Sequence, residues 1–201
     1  MQGILIMKTI MEEKALKIYF AGALFNSKDL IGNKILAETI ERLAPRYKIV
    51  LPQDLEQGRA SPKSIRDSDL KNLLECDMGV FNYDGSELDS GTVVEFMFAK
   101  FSDKPSLLLR TDFRGGGDQT YGGGEPWNLM TSFYPRTRTL LLDSAKIYKD
   151  FLSGEKFDLN GYCEFLAKKI ISELDVLSES LPVMPKNLRP SVEDWIKILV
   201  K

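Results

Sequence analysis

No histidine occurs among the 201 residues. That absence removes Ser-His and Cys-His nucleophilic systems and the common histidine metal sites, so acid-base work falls to carboxylates, tyrosine, lysine or cysteine. Cysteine is almost as scarce. Cys76 and Cys163 stand far apart with no CxxC spacing, which suggests neither a zinc site nor a disulfide framework and predicts two ordinary, mostly buried thiols. No apolar run approaches the roughly 20 residues that span a bilayer. The early run Gly3 to Met7 is too short for a signal segment and lacks a small-residue cleavage site, so a cytoplasmic chain with no membrane partner is expected. Charge of one sign is missing too. Lys and Arg number 27 against 29 Asp and Glu, a net charge of -2, with none of the basic clustering that a nucleic acid polymer demands.

The remaining composition, 43% hydrophobic and 28% charged, suits one globular domain with a real core. A first strand, Leu16 to Ala21, ends at Gly22. A helix capped by Ser27 carries Ile31, Ile35, Leu36, Thr39, Ile40 and Leu43 at helical spacing until Pro45. Tyr47 to Leu51 is a second strand, Gln53 to Pro62 a polar loop, Ile65 to Glu75 a helix, and Met78 to Asn82 a buried third strand. After turn-rich Tyr83 to Asp89 come a helix from Thr92 to Phe101 and a fourth strand, Ser106 to Arg110. Thr137 to Leu142 makes a fifth strand, Phe157 to Leu177 a long amphipathic helix, and Ser191 to Val200 a short one beyond Pro182, Pro185 and Pro190. Strand and helix alternate, which predicts an α/β fold: a flavodoxin-like three-layer sandwich on a five-stranded parallel sheet, plus a C-terminal helical extension. The expected division is a flexible segment over 1–15, the domain over 16–143, and the extension over 144–201, packed on the domain or a neighbouring subunit. Thr111 to Pro126, with Gly115 to Gly117 and Gly122 to Gly124, matches no phosphate-binding loop and is expected to be a mobile active-site flap.

Open parallel sheets bind ligands beyond the carboxyl ends of their strands. The loops there hold Tyr19 to Phe25, Asp67 and Asp69, Asp84 to Glu95, and Glu125 to Met130. The sharpest group is Asp89-Ser-Gly-Thr-Val-Val-Glu95. Paired carboxylates suit chemistry at an anomeric carbon, one as nucleophile and the other moving a proton. The same letters also fit a capping box, with Thr92 capping the helix and Glu95 reaching back to its first amide. Spacing alone leaves both readings open.

Ile18-Tyr-Phe-Ala-Gly22, Asp69-Leu70, Cys76-Asp77, Asp89 to Glu95 and Asn128-Leu-Met130 resemble, in order and interval, the nucleoside 2-deoxyribosyltransferases over about residues 16–143. The resemblance implies transfer of 2-deoxyribose between nucleobases by double displacement, with retention of configuration, through a sugar ester on Glu95. It implies that Tyr19 orients Glu95, that Asp89 contacts the base and passes its proton, and that Asp69 grips sugar hydroxyls. Gly22, Phe25 and Gly91 fall in the substrate-binding stretches. Asn128 and Met130 match positions that a neighbouring subunit supplies, so a homo-oligomer with shared sites is implied. Substrates would be 2'-deoxynucleosides and free nucleobases, with no metal and no organic cofactor. The chain departs from the family's smaller members in its Gly-rich insertion, in its long C-terminal region, and in lacking their terminal tyrosine carboxylate. Gln53, Asp54, Glu56 and Gln57 are the candidates for base recognition. A 2'-deoxynucleoside 5'-monophosphate N-glycosidase is the competing hydrolase. Such enzymes carry Ser where this chain has Asp89, and hold the phosphate in a first loop where this chain offers only Lys28. A non-catalytic nucleotide-sensing module is the third reading, since this fold hosts many functions.

Overall fold

Strand β1 (Leu16–Ala21) shows how the sheet is built. Its side chains alternate between faces, as any strand's must. Ile18 and Phe20 enter one apolar cluster, and Tyr19 and Ala21 the opposite one. The computed structural model describes residues 14–55, 61–114 and 125–200. The proposed flexible segment lies outside them except for its last two residues, and so do Glu56, Gln57 and most of the proposed flap.

Helix α1 (Ser27–Leu43), strand β2 (Tyr47–Val50), the single turn α2 (Pro52–Leu55), helix α3 (Pro62–Glu75), strand β3 (Met78–Asn82), helix α4 (Ser90–Phe101) and strand β4 (Ser106–Arg110) follow in order. After a short 3-10 turn (Leu129–Thr131) come strand β5 (Thr137–Leu141), helix α5 (Ser144–Asp150) and a two-residue-strand hairpin, β6 (Leu152–Ser153) with β7 (Lys156–Phe157). Helices α6 (Leu159–Ser178) and α7 (Arg189–Leu199) close the chain. The five long strands pair in the order β2-β1-β3-β4-β5, all parallel. This is the flavodoxin-like order, whose crevice lies where the chain reverses direction across the sheet, at β1 and β3.

One face of the sheet, with Ile18, Phe20, Val80, Leu107 and Leu109, packs against α1 and α6. Helix α6 contributes Ala167, Ile170, Leu174 and Leu177, a stripe at helical spacing that makes it a full member of this layer. Arg46 grips Asp175 of α6 with both guanidinium edges, and the Tyr47 hydroxyl donates to the same carboxylate at 2.6 Å. The opposite face, with Tyr19, Ala21, Phe81 and Leu108, packs against α3 and α4. No described helix is long and apolar enough to cross a membrane.

Several boundaries differ from the sequence expectation for local reasons. Asn26, not Ser27, caps α1, its side-chain oxygen accepting from the Lys28 and Asp29 amides. Helix α3 begins at Pro62 because Ser61 accepts from the Ser64 amide and Pro62 needs no amide partner in the first turn. The polar stretch from Gln53 also holds the turn α2. Phe157 belongs to the hairpin, and Asp158 caps α6. Helix α7 starts at Arg189 with Pro190 inside its first turn.

The link from α6 to α7 is fastened at one buried acid. Asp103, 6% exposed and at φ 56, accepts from the Val183 and Met184 amides at 3.1 Å and from Arg189 at 3.1 Å. Arg136 completes the pair at 3.3 Å. Burial pushes this carboxyl up, but the two amides and Arg136 outweigh it and hold it below its ordinary range. Asp103→Asn keeps a residue that tolerates left-handed backbone but leaves Arg136, itself mostly buried, without its countercharge. It should cost about 2 to 3 kcal/mol in urea unfolding at neutral pH. The difference should shrink as acid protonates Asp103, since stability from a depressed carboxyl is lost as pH falls through its folded value.

Candidate active site

Tyr19 stands on β1, pointing to the α3/α4 face, and is fully buried. Its hydroxyl donates to Glu95 Oε1 at 2.6 Å, across 76 residues of sequence. A contact this short is typical of a charge-assisted bond to a carboxylate. Burial raises the Tyr19 hydroxyl far above its usual range, and the Glu95 charge adds to the effect. Tyr19 therefore keeps its proton and acts as a fixed donor.

Glu95 lies in the second turn of α4. Burial pushes its carboxyl up to about 7, the Tyr19 hydrogen bond offsets part of that rise, and the charges of Asp69 and Asp89 reinforce it. The side chain does not reach back to cap its own helix. Asp89 does the capping: its Oδ2 accepts from the Thr92 amide at 2.7 Å and the Thr92 hydroxyl at 2.8 Å. The capping-box alternative for Thr92 and Glu95 is thereby replaced, because Asp89 takes the cap position and Tyr19 takes Glu95. A carboxylate at the amino end of α4 is also favoured by the helix dipole.

Glu95 and Asp69 open onto one cleft of about 790 Å³, whose walls include Ile65, Leu70, Gly91, Val94, Phe98 and, from the last helix, Leu199. Polar groups are few there, and both acids sit among apolar side chains. A Cβ on Gly91 would stand 3.2 Å from Asp89 Oδ2, so the residue between the carboxylates has to be small. Gly22, at the end of β1, lies so close to β3 that a Cβ would come within 3.1 Å of Asn82 Cβ. Phe25, in the loop that follows, is 77% exposed and does not line the cleft.

Asn128 and Met130 stand elsewhere. They line a second depression of about 750 Å³, which shares Ser90 and Val94 with the first. Asn128 caps the 3-10 turn by accepting from the Met130 amide at 2.9 Å. Met130 is 74% exposed. The segment is held from behind: buried Trp127 packs edge-on against Tyr83, Tyr83 against Phe96, and Phe96 against Tyr134. Phe133 is 74% exposed at φ 62, a strained backbone for a bulky side chain. The structure thus brings Asp69, Gly91 and Glu95 to one cleft, with Tyr19 bonded to Glu95 from behind and Asp89 capping α4 beside Gly91, and leaves Gly22, Phe25, Asn128 and Met130 off its walls.

Of the base-recognition candidates, Gln53 is engaged, donating to the Leu30 carbonyl at 2.9 Å and accepting from Asn33. Asp54 pairs with Lys34 at 2.9 Å. Asp67, near the cleft in sequence, pairs instead with Lys63 and Arg66 on the helix surface. Sequence reasoning missed Leu199, which lies over a hundred residues beyond Glu95 and carries no motif. Among the described residues no cluster of three or more His, Cys, Asp or Glu side chains could hold a metal ion.

No curated protein matches the chain. Among solved structures, a conserved protein from Enterococcus faecalis V583 is 27% identical, with 82% of this chain and 96% of that one covered and a TM-score of 0.47. A 2-deoxyribosyltransferase from Leishmania mexicana is 22% identical, covering 70% and 99%, at 0.49. A CMP N-glycosidase from Clostridium botulinum is 14% identical, covering 80% and 98%, at 0.45. The family model for nucleoside 2-deoxyribosyltransferase matches residues 18–130. That span includes both strands of the crevice and every residue assigned above to the site except Leu199, and this chain belongs to the nucleoside 2-deoxyribosyltransferase family.

Proposed function

We propose that the protein transfers 2-deoxyribose from one nucleobase to another by double displacement, with Glu95 as the nucleophile. The observation that carries this reading is the 2.6 Å bond from buried Tyr19 to Glu95 Oε1 at the floor of an apolar cleft. It fixes one oxygen and leaves Oε2 to meet C1'. Cleavage of the N-glycosidic bond passes through an oxocarbenium-like state, which a carboxylate beneath C1' stabilises and then traps as an ester. The C1'–N bond breaks with its electron pair going to the departing base, which takes up one proton that Asp89 relays from solvent. In the second half the incoming base attacks C1' from the face the first one left, returns a proton to Asp89 and releases Glu95. Two inversions give net retention.

A carboxylate raised to about 7 is both a better nucleophile than an ordinary one and still an acceptable leaving group, which double displacement needs. Asp69 holds the sugar hydroxyls, and the closeness of Tyr19 and Glu95 beneath C2' leaves a ribose hydroxyl little room. Gly22 and Phe25, on the stretch after β1 and off the cleft walls, are the groups for any part of the substrate that projects beyond the cleft on the β1 side. Asn128 and Met130 complete the cleft of a neighbouring copy, so the working enzyme is a homo-oligomer. Support for that comes from the exposure of Met130 and Phe133 on a rigidly braced turn, with Phe133 held at φ 62, since backbone strain persists only where the surrounding structure over-determines it and clusters at functional sites.

The deciding assay follows products after incubation with a 2'-deoxynucleoside, with and without a different free base. A new deoxynucleoside, formed only with acceptor present, is expected. Free base released from a deoxynucleoside 5'-monophosphate without exchange would establish the N-glycosidase reading instead. Glu95→Ala should lower exchange by at least about a thousandfold, and retained turnover in that variant would rule out the ester on Glu95.

Glu95 must be ionised to attack, so kcat/KM should fall as pH drops below about 7. Its stability effect has the opposite sense. A carboxyl raised on folding takes up a proton, so stability declines as pH rises from its ordinary 4.5 to about 7. Glu95→Gln, which keeps an oxygen for Tyr19, should therefore be more stable than the parent at about pH 8, by on the order of 2 to 3 kcal/mol. Thermal melts should show the two converging at about pH 4.

Met130→Glu tests the shared site. Sedimentation should show smaller species, with exchange activity lost in parallel, while the melt of the separated chain changes by less than about 0.5 kcal/mol, as for other exposed positions. An intact oligomer with full activity would remove Met130 from the interface.

A further inference from the structure

The last helix reaches the catalytic cleft. Helix α7 is anchored at its start by Arg189 on Asp103 at 3.1 Å and along its length by Ile196, 3% exposed. Val200 then packs on the cluster that contains Tyr19, Leu70 and Leu73, and Leu199 lines the cleft beside Asp69 and Glu95. Leu199 is 44% exposed, so its side chain fills no core and presents an apolar surface to whatever occupies the cleft. With Ile65, Leu70, Val94 and Phe98 it makes the apolar part of the wall, and besides the two acids only Arg66 and Ser90 bring polar side chains to the cleft.

We propose that Leu199 is a specificity-determining residue of this enzyme, the part of the cleft wall that seats the acceptor base and keeps water from the sugar ester on Glu95. The inference rests on the transfer reading. The ester has two fates: attack at C1' by a base nitrogen regenerates a nucleoside, and attack by water gives free deoxyribose, each releasing the Glu95 carboxylate and one proton. Apolar packing against a flat base favours the first and starves the second. Removing three carbons from the wall loosens the seat and admits water.

The test compares Leu199→Ala with the parent on one 2'-deoxynucleoside, with and without a second free base, resolving nucleoside and free deoxyribose. A rise of about tenfold in the ratio of hydrolysis to transfer is expected, with a matching rise in the KM for the acceptor, the scale of a lost hydrophobic contact in a binding pocket. Leu188→Ala, also half-exposed and outside the cleft, should leave the ratio unchanged. Leu199→Trp narrows the cleft and should depress exchange with two-ring bases more than with one-ring bases. It carries the test if the smaller variant fails to fold. An unchanged ratio and unchanged base preference in folded variants, with the parent exchanging normally, would overturn the role of Leu199. Absence of exchange in the parent would instead overturn the transfer reading.

Discussion

The hydrogen bond between Tyr19 and Glu95 joins the central strand β1 to helix α4 and ties the site to the core. It requires a carboxylate to be taken mostly out of water, and burial is what lifts Glu95 to about 7. An unpaired charge there would be costly. Tyr19 supplies the compensating donor, and its own burial keeps it protonated. The geometry then depends on α4 being held in register against the sheet. Asp89 fixes the start of α4 through Thr92, and Phe96, fully buried one residue after Glu95, fixes its rotation through edge-on contacts with Phe81 and Tyr83.

The same aromatic chain links the site to its surroundings. Phe96 touches Tyr134 and, through Tyr83, Trp127, so the residue beside Glu95 also braces the turn that carries Asn128 and Met130. Under the proposed reading, one packed cluster positions the nucleophile of one copy and the contribution made to a neighbour. Asp84 stabilises the adjoining strand end, accepting from Thr111 and Asp112, so the chain leaves β4 in a fixed direction. The buried Asp103 serves a similar purpose for the tail, directing α7 toward the cleft. Polar anchors at element ends thus position the walls of a cleft that is mostly apolar.

Much of this was legible in the amino-acid sequence because it depends on neighbours a few residues apart. The apolar runs of β1, β3 and β4 and the helical spacing of α1 and α6 established the layered α/β architecture, and the absence of histidine confined acid-base chemistry to carboxylates, tyrosine, lysine or cysteine. The ordered motifs from Ile18 to Met130 pointed to the family. Helix starts were misplaced where a preceding side chain took the cap, as Asn26 and Ser61 do, because capping is settled by which oxygen reaches a free amide. The segment between β5 and α6 carried too little periodicity to announce α5 and its hairpin.

Tertiary structure alone decided what touches what. Whether Glu95 would cap its own helix or meet Tyr19 was undetermined by spacing, and it was resolved by the strand order, which stacks β1 beside β3 and turns Tyr19 toward α4. The separation of Asn128 and Met130 from the cleft, and the arrival of Leu199 in it, have no local signal either. Periodicity and propensity act over a few residues. Contacts across 76 residues or more depend on how the layers are stacked and on which buried charge finds a partner, and those are properties of the folded chain as a whole.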